Sequence, residues 1–300
     1  METKQAQETQ YNPNDYSDAL TQFTQTWQDD EGLEALLNFV APKIPVARRF
    51  EYKQIEQDQM FYSETDDLRA SGSAFKRIQF SGSVVQAKTL NKGLSIRVDA
   101  EDVVGNDWQE RYVHLLMKRL YRNELRRAIL ALKQHAKSVD TTWKGTSSPD
   151  ADIRDTLILA GKDHGFAPNR LLFGELAWYA RQDCYAAQNN AGARISAEMS
   201  REHLAEKLLV EDIKLLKKQM LGLQGKELTG NEIFAFYAQN GLLKDEISNI
   251  KRFVTPCEDR HLFRVYVEEH AKFTDITVEH YSNIVITSNT NILQLNIQHT

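Results

Sequence analysis

Two Glu–His doublets, Glu269-His270 and Glu279-His280, stand in the run HLFRVYVEEHAKFTDITVEHYSNIVIT at residues 261–287. Histidine beside carboxylate is the pairing that metal centres and general acid/base sites use. Strand alternation argues against such a site here. Side chains of a strand alternate with period 2, so Ile276, Val278, His280, Ile284 and Ile286 share one face and Thr277, Glu279 and Tyr281 the other. His270 keeps company with Arg264, Tyr266 and Glu268 on a polar face. A tight turn around Lys272 sets His280 opposite Val265, about five residues or roughly 16 Å from the level of His270. Metal ligands converge to about 2 Å from one ion, so the doublets read as sheet, with one core and one exposed histidine. No metal and no cofactor is expected.

Other catalytic templates fail as well. SGSAF and SGSVV lack the spacing of a nucleophile elbow. GKDHG has neither the spacing nor the Ser/Thr of a P-loop, and no G-x-G-x-x-G occurs. Cys184 lies in WYARQDCY and reads as packing, and with Cys257 it makes neither a disulfide framework nor a zinc set. The chain is not expected to be an enzyme.

The residues that remain chemically interesting are cations on one helix. DWQERYVHLLMKRLYRNELRRAILALKQHAK repeats Val113, Met117, Tyr121, Leu125, Ala128, Leu132 and Ala136 at steps of three and four, which gives one buried stripe. Asp107 and Glu110 form a candidate capping box. Arg119, Arg122, Arg126, Lys133 and Lys137 fall within an arc of roughly 60°. At about 30 residues and roughly 45 Å this helix is a spine. Asp107–Lys137 holds eight basic and three acidic residues, while residues 1–46 hold eight acids against Lys4 and Lys43. The cations have three possible partners: acids of their own subunit such as Glu124, the acidic arm of a neighbour, or the phosphates of DNA.

The other elements follow from pattern. The acidic arm is poor in apolar residues except for LEALLNFV at 33–40, a helical turn or two stopped by Pro42 and Pro45. Residues 50–100 read as a long β-hairpin whose outer half has little to bury in one chain. Arm and hairpin are expected to bury apolar surface only against other subunits, the hairpin through Phe61, Tyr62, Phe75, Ile78 and Phe80. TTWKGTSSPDAD reads as a loop, IRDTLILAGKDHG as a helix stopped by Gly165, NRLLFG as a buried strand and ELAWYARQDCYAAQ as a helix. The 201–220 segment fits one helix by its apolar spacing, while EDIKLLK within it also fits a strand. No apolar run approaches the roughly 20 residues that span a bilayer, and the polar N-terminus has no signal-peptide character. A cytoplasmic origin and no membrane partner are expected.

The stretches TDDLRASGSAFKRI, LNKGLSIRVDAEDV, PNRLLFGELAW, FAFYAQNGLLKDEISNIKRFV and RVYVEEHAKFTDITVEHYSNIVIT together resemble the major capsid proteins of tailed bacteriophages, whose fold also serves encapsulins and the herpesvirus capsid floor. The resemblance implies an α+β phage major-capsid fold. Residues 1–49 are then an N-terminal arm and 50–100 an extended loop lying over a neighbour. Residues 101–148 with 258–300 form a peripheral domain of spine helix and long strands, and 149–257 a mixed axial domain. For 201–220 it implies a helix ending near Leu209 and a strand over 212–218 that hairpins through GLQGKELTGN into EIFAFYAQN. It implies self-assembly into hexamers and pentamers of an icosahedral shell around double-stranded DNA, formed in the bacterial host cytoplasm. Portal, scaffold or decoration proteins are further implied partners, with non-specific DNA contact through Arg119, Arg122, Arg126, Lys133 and Lys137. About 46 residues precede the hairpin, which implies a separate scaffold or none. The alternative is an encapsulin-like compartment holding cargo enzyme.

Overall fold

The computed structural model describes residues 15–54, 71–75, 83–164, 167–217, 230–241, 243–257 and 261–299. The spine is helix α3 (Trp108–His135), 28 residues or about 42 Å long. Its stripe is buried as the three-four spacing requires: Val113, Met117, Tyr121, Leu125, Ala128 and Leu132 all lie in one core cluster. Asp107 makes no side-chain cap bond, so the expected capping box is absent. Asp107 instead pairs with Arg111 one turn on, at 3.3 Å.

The spine packs on a sheet centred on the 14-residue strand β11 (Phe273–Ile286). Strand β4 (Leu90–Asp99) runs antiparallel along one edge of β11. Strands β10 (Phe263–Glu269) and β9 (Ile250–Thr255) share its other edge, and β1 (Lys43–Pro45) adds in parallel to β9. Register places His280 opposite Phe263 and Val278 opposite Val265, two residues from the expected pairing. The cause is a turn centred one residue earlier, closed by the His270 N–H donating to the Phe273 carbonyl at 2.9 Å.

A second sheet has the order β5 (Lys137–Trp143), β12 (Leu293–His299), β8 (Glu232–Phe236), β6 (Arg170–Gly174), β7 (Asp212–Leu216). Helices α4 (Pro149–His164), α5 (Glu175–Ala186) and α7 (Arg201–Leu208) close the core over it, with the short α6 (Ala191–Ala197) beside α5. The chain passes from α3 almost directly into β5, so Thr141–Trp143 is strand where a loop was expected. Strand β12 thus pairs with β8 of the 149–257 range and carries β5 on its other edge, while β9 from within that range pairs with β11.

The 201–220 segment breaks as the resemblance implied and as its apolar spacing did not. Helix α7 ends at Leu208, Leu209 adopts φ 56°, and a strand follows. The expected hairpin partner is wrong, because β6 lies between β7 and β8 and pairs with both. The turn residues GLQGKELT, 222–229, lie outside the described residues.

The arm overturns the expectation that it has no place in one chain's core. It forms α1 (Asp18–Thr26) and α2 (Leu33–Val40), and Leu33, Leu37 and Val40 are completely buried against the spine. Two buried arginines of the body hold α2 as well. Arg170 donates to the Phe39 carbonyl at 2.6 Å, and Arg252 to Asn38 Oδ1 at 2.9 Å. Ahead of α1, the Ser17 N–H donates to the Val265 carbonyl, so the arm also lies on the outer edge of β10.

Candidate subunit and anion interfaces

The base of the hairpin is a two-stranded ribbon, β2 (Arg49–Gln54) against β3 (Ser83–Lys88). One face carries Phe50 and Tyr52, which pack on Phe253 with ring centroids 4.5 and 5.5 Å away. The loop at 243–246 grips this ribbon from the side. Asp245 accepts the Lys53 N–H at 3.0 Å, and the Lys244 ammonium donates to the Glu51 carbonyl at 3.0 Å. Lys251 supports the same loop from beneath, its ammonium donating to the carbonyls of Lys244 (2.8 Å) and Glu246. Burial pushes the Lys251 ammonium down to about 8.

Most of the ribbon's remaining surface is open. Val84 is 59% exposed, and Phe75, among the expected contact residues, is 74% exposed. Phe61, Tyr62, Ile78 and Phe80 lie outside the described residues.

The expected basic face of the spine is divided among different partners. Arg122 donates to both oxygens of Glu31, at 2.8 and 2.7 Å, and Lys118 reaches the same carboxylate at 3.3 Å. The Arg122 hydrogen bonds, and then Lys118, hold the Glu31 carboxyl below its usual range against the opposing cost of burial. Lys133 sits 3.4 Å from Glu232 of the second sheet. Arg126 is half-buried, Lys137 opens β5 and is exposed, and Arg119 is exposed with no ion pair among the described residues. Arg122 therefore meets an acid of its own chain, the first of the three expected kinds of partner, although that acid is Glu31 of the arm and not Glu124.

The corner between α1 and α2 is fixed beside this pair. The Trp27 indole stacks on Tyr121 (5.2 Å, 7° between planes) and its N–H donates to His114 Nδ1 at 2.8 Å. Asp30 lies 3.8 Å from the other nitrogen of His114. Lys118 and His114 were absent from the sequence reading. Their spacing from Arg122, four and eight residues back, marks them as one face of the spine.

Glu124 pairs with none of the five expected cations. It is buried under the first sheet and accepts from Lys92 (2.8 Å), Arg127 (2.6 Å) and Ser282 (2.7 Å). Burial alone would raise its pKa; the Lys92 and His280 charges and these hydrogen bonds overcome that and bring it down to about 2. His280 is a core residue as expected, 3.2 Å from Ser282, and burial pushes it down to about 4. Its Nδ1 has no hydrogen-bond partner, so it is satisfied on one nitrogen only.

The other histidine of the opening pair, His270, is exposed as expected and lies 3.1 Å from Glu268. The ligand atoms of Glu268, His270 and Asp275 lie within 4.8 Å of one another, so the hairpin tip gathers three groups of ligating type. Arg97 already donates to both oxygens of Asp275, at 2.9 and 2.6 Å, and a metal ion would have to displace that guanidinium.

No family model and no curated protein matches the sequence. Solved structures do. A phage-related protein from Bordetella bronchiseptica aligns with TM-score 0.67 at 15% identity, covering 94% of this chain and 96% of that one. A chain of the satellite phage P4 procapsid, solved with its size determination protein, aligns with TM-score 0.50 at 10% identity, covering 98% and 94%. At these identities the likeness concerns the fold: an α+β phage capsid fold, as the sequence resemblance implied.

Proposed function

We propose that the chain is a structural shell subunit of a tailed-bacteriophage capsid, with no catalytic role. The observation that supports this most is an end-to-end fold match to a procapsid chain, in which nearly all of both molecules takes part. The exposed ribbon agrees with it. A two-stranded ribbon is marginal alone in water, and one whose Val84 faces solvent gains its stability from a neighbour. In this reading Phe61, Tyr62, Phe75, Ile78 and Phe80 touch adjacent subunits within hexamers and pentamers. The first sheet with α3 forms the peripheral part and the second sheet with α4–α7 the axial part. The shell encloses double-stranded DNA, is built in the host cytoplasm, and meets portal, scaffold or decoration proteins. Exposed Arg119 on the spine and exposed Lys137 just beyond it give non-specific contact with the genome, because phosphate neutralisation needs no base recognition.

Electron microscopy of the purified full-length chain tests this. Closed icosahedral particles are expected. A small oligomer at high protein concentration overturns the reading, and closed shells that hold enzyme in place of nucleic acid transfer it to an encapsulin-like compartment.

A further inference from the structure

We infer that Lys118, Arg119 and Arg122 form a phosphodiester-binding site on the spine helix, closed in this conformation by the chain's own Glu31. The arm and the phosphate are alternative occupants of the same cations. The inference rests on the shell reading only for where the phosphate comes from; the site itself rests on geometry.

Lys118, Arg119 and Arg122 stand at i, i+1 and i+4, and the i, i+3 and i, i+4 spacings make Arg122 a neighbour of both the others on the helix surface. The Glu31 carboxylate bridges Lys118 and Arg122, with both of its oxygens on Arg122 Nη2, and a phosphodiester offers the same cations two free oxygens of its own. Arg119 beside them has no ion pair among the described residues. The site thus has a cation that Glu31 does not use.

Opening the site needs little movement. Glu31 lies in the turn between α1 and α2, and its side chain is 30% exposed, comparable with 21% for Lys118 and 32% for Arg122. The backbone on both sides is anchored independently. Trp27 holds one side through Tyr121 and His114. The completely buried Leu33 and Leu37 hold the other. Glu31 can therefore swing out by side-chain rotation while the corner stays in place. Solvent reaches this ion pair and screens it, which weakens its hold on Glu31. A nucleic-acid backbone that replaces it gains counterion release, about 0.9 in the log–log salt slope for each phosphate neutralised. The other charges facing the site are Asp30 and His114, which pair with each other, and Asp29, which caps α2 by accepting the Glu34 N–H at 2.6 Å. None of them lies between Glu31 and solvent as a second carboxylate on Arg122 or Lys118 among the described ion pairs. Single-carboxylate closure also suits a shell subunit: it masks part of the basic face from host nucleic acid before assembly, and concentrated genome phosphate opens it afterwards.

The experiment measures binding of a short random-sequence DNA duplex to the full-length unassembled chain over a range of salt, by fluorescence anisotropy. Glu31→Gln is expected to bind about tenfold more tightly at low salt, with a salt slope steeper by about two, one for each cation released. Adding Arg119→Gln, which makes no ion pair among the described residues, removes part of that gain. Adding Lys118→Gln and Arg122→Gln removes all of it. Melting curves confirm that each variant is folded. A Glu31→Gln protein with wild-type affinity and wild-type slope overturns the inference. Shell formation is read separately: a gain in affinity without closed particles keeps the site and rejects the capsid reading, and closed particles without the gain do the reverse.

Discussion

The arm and the hairpin look alike in composition and behave oppositely in the fold. Both were expected to wait for a neighbouring subunit. The arm instead supplies Leu33, Leu37 and Val40, completely buried, to the main core, and two arginines of the body reach its carbonyl and amide oxygens. The ribbon of β2 and β3 leaves Val84 in solvent and is tied down by Phe50 and Tyr52 on Phe253, by two hydrogen bonds with one loop and by Asn283 donating to the Lys88 carbonyl. Average hydrophobicity hid this difference. A mostly polar arm needs only one concentrated apolar helix, LEALLNFV, to join a core, because burial energy follows the area covered and not the mean of the segment.

Core substitution separates the two regions with the largest effect. Leu37→Ala in the arm is expected to lower unfolding free energy by about 2–5 kcal/mol, since it opens a cavity under the spine. Val84→Ala in the ribbon is expected to change it by less than about 0.5 kcal/mol. Denaturant titration of the unassembled chain measures both. Equal effects would erase the distinction.

Acid comes next, through the cluster under the first sheet. His280 is held at about 4 when folded and takes a proton near 6.5 when unfolded. Between those values the unfolded chain binds more protons, so stability is full above pH 6.5 and falls as pH drops towards 4, by about 3 kcal/mol. Glu124, at about 2 against an ordinary 4.5, adds a second loss between pH 4.5 and 2. In His280→Gln the decline between pH 6.5 and 4 should flatten, and the denaturant midpoint against pH shows whether it does. The arm shares the core on which this cluster lies and should be lost with it, while the ribbon, packed on Phe253, is the control.

The smallest effect sharpens the hairpin side. Asp245→Ala removes the acceptor of the Lys53 N–H. It is expected to cost about 1 kcal/mol, confined to β2 and β3, so that their amides exchange faster while the amides of α2 and α3 do not change. Faster exchange throughout the molecule would mean that the loop at 243–246 supports more than the ribbon.

The spine was legible because its partners are its own neighbours: Val113, Met117, Tyr121 and Leu125 repeat on one face whatever they pack against. The β6 strand and α5 were legible for similar reasons, an unbroken apolar run and a helical repeat. Glu124 was not, because it reads as one acid among solvated arginines, while two of its partners lie 32 and 158 residues away on β4 and β11. The Glu31 pair was hidden for the same reason, with 91 residues between its partners. The His280 register depended on a turn whose centre the letters did not fix, and the error was two residues. The break in 201–220 went against the apolar spacing. Leu204 and Leu208 do serve a helix, but Ile213 and Leu216 serve a strand that pairs with β6.

Amide hydrogen exchange compared between the unassembled chain and assembled particles tests the central claim most directly, that the arm belongs to the fold and the hairpin to the shell. The account predicts that α2 is strongly protected in both states and that β2 and β3 become protected only in particles. Protection of β2 and β3 in the single chain equal to that in particles, or exchange of α2 as fast as the ribbon before assembly, would contradict it.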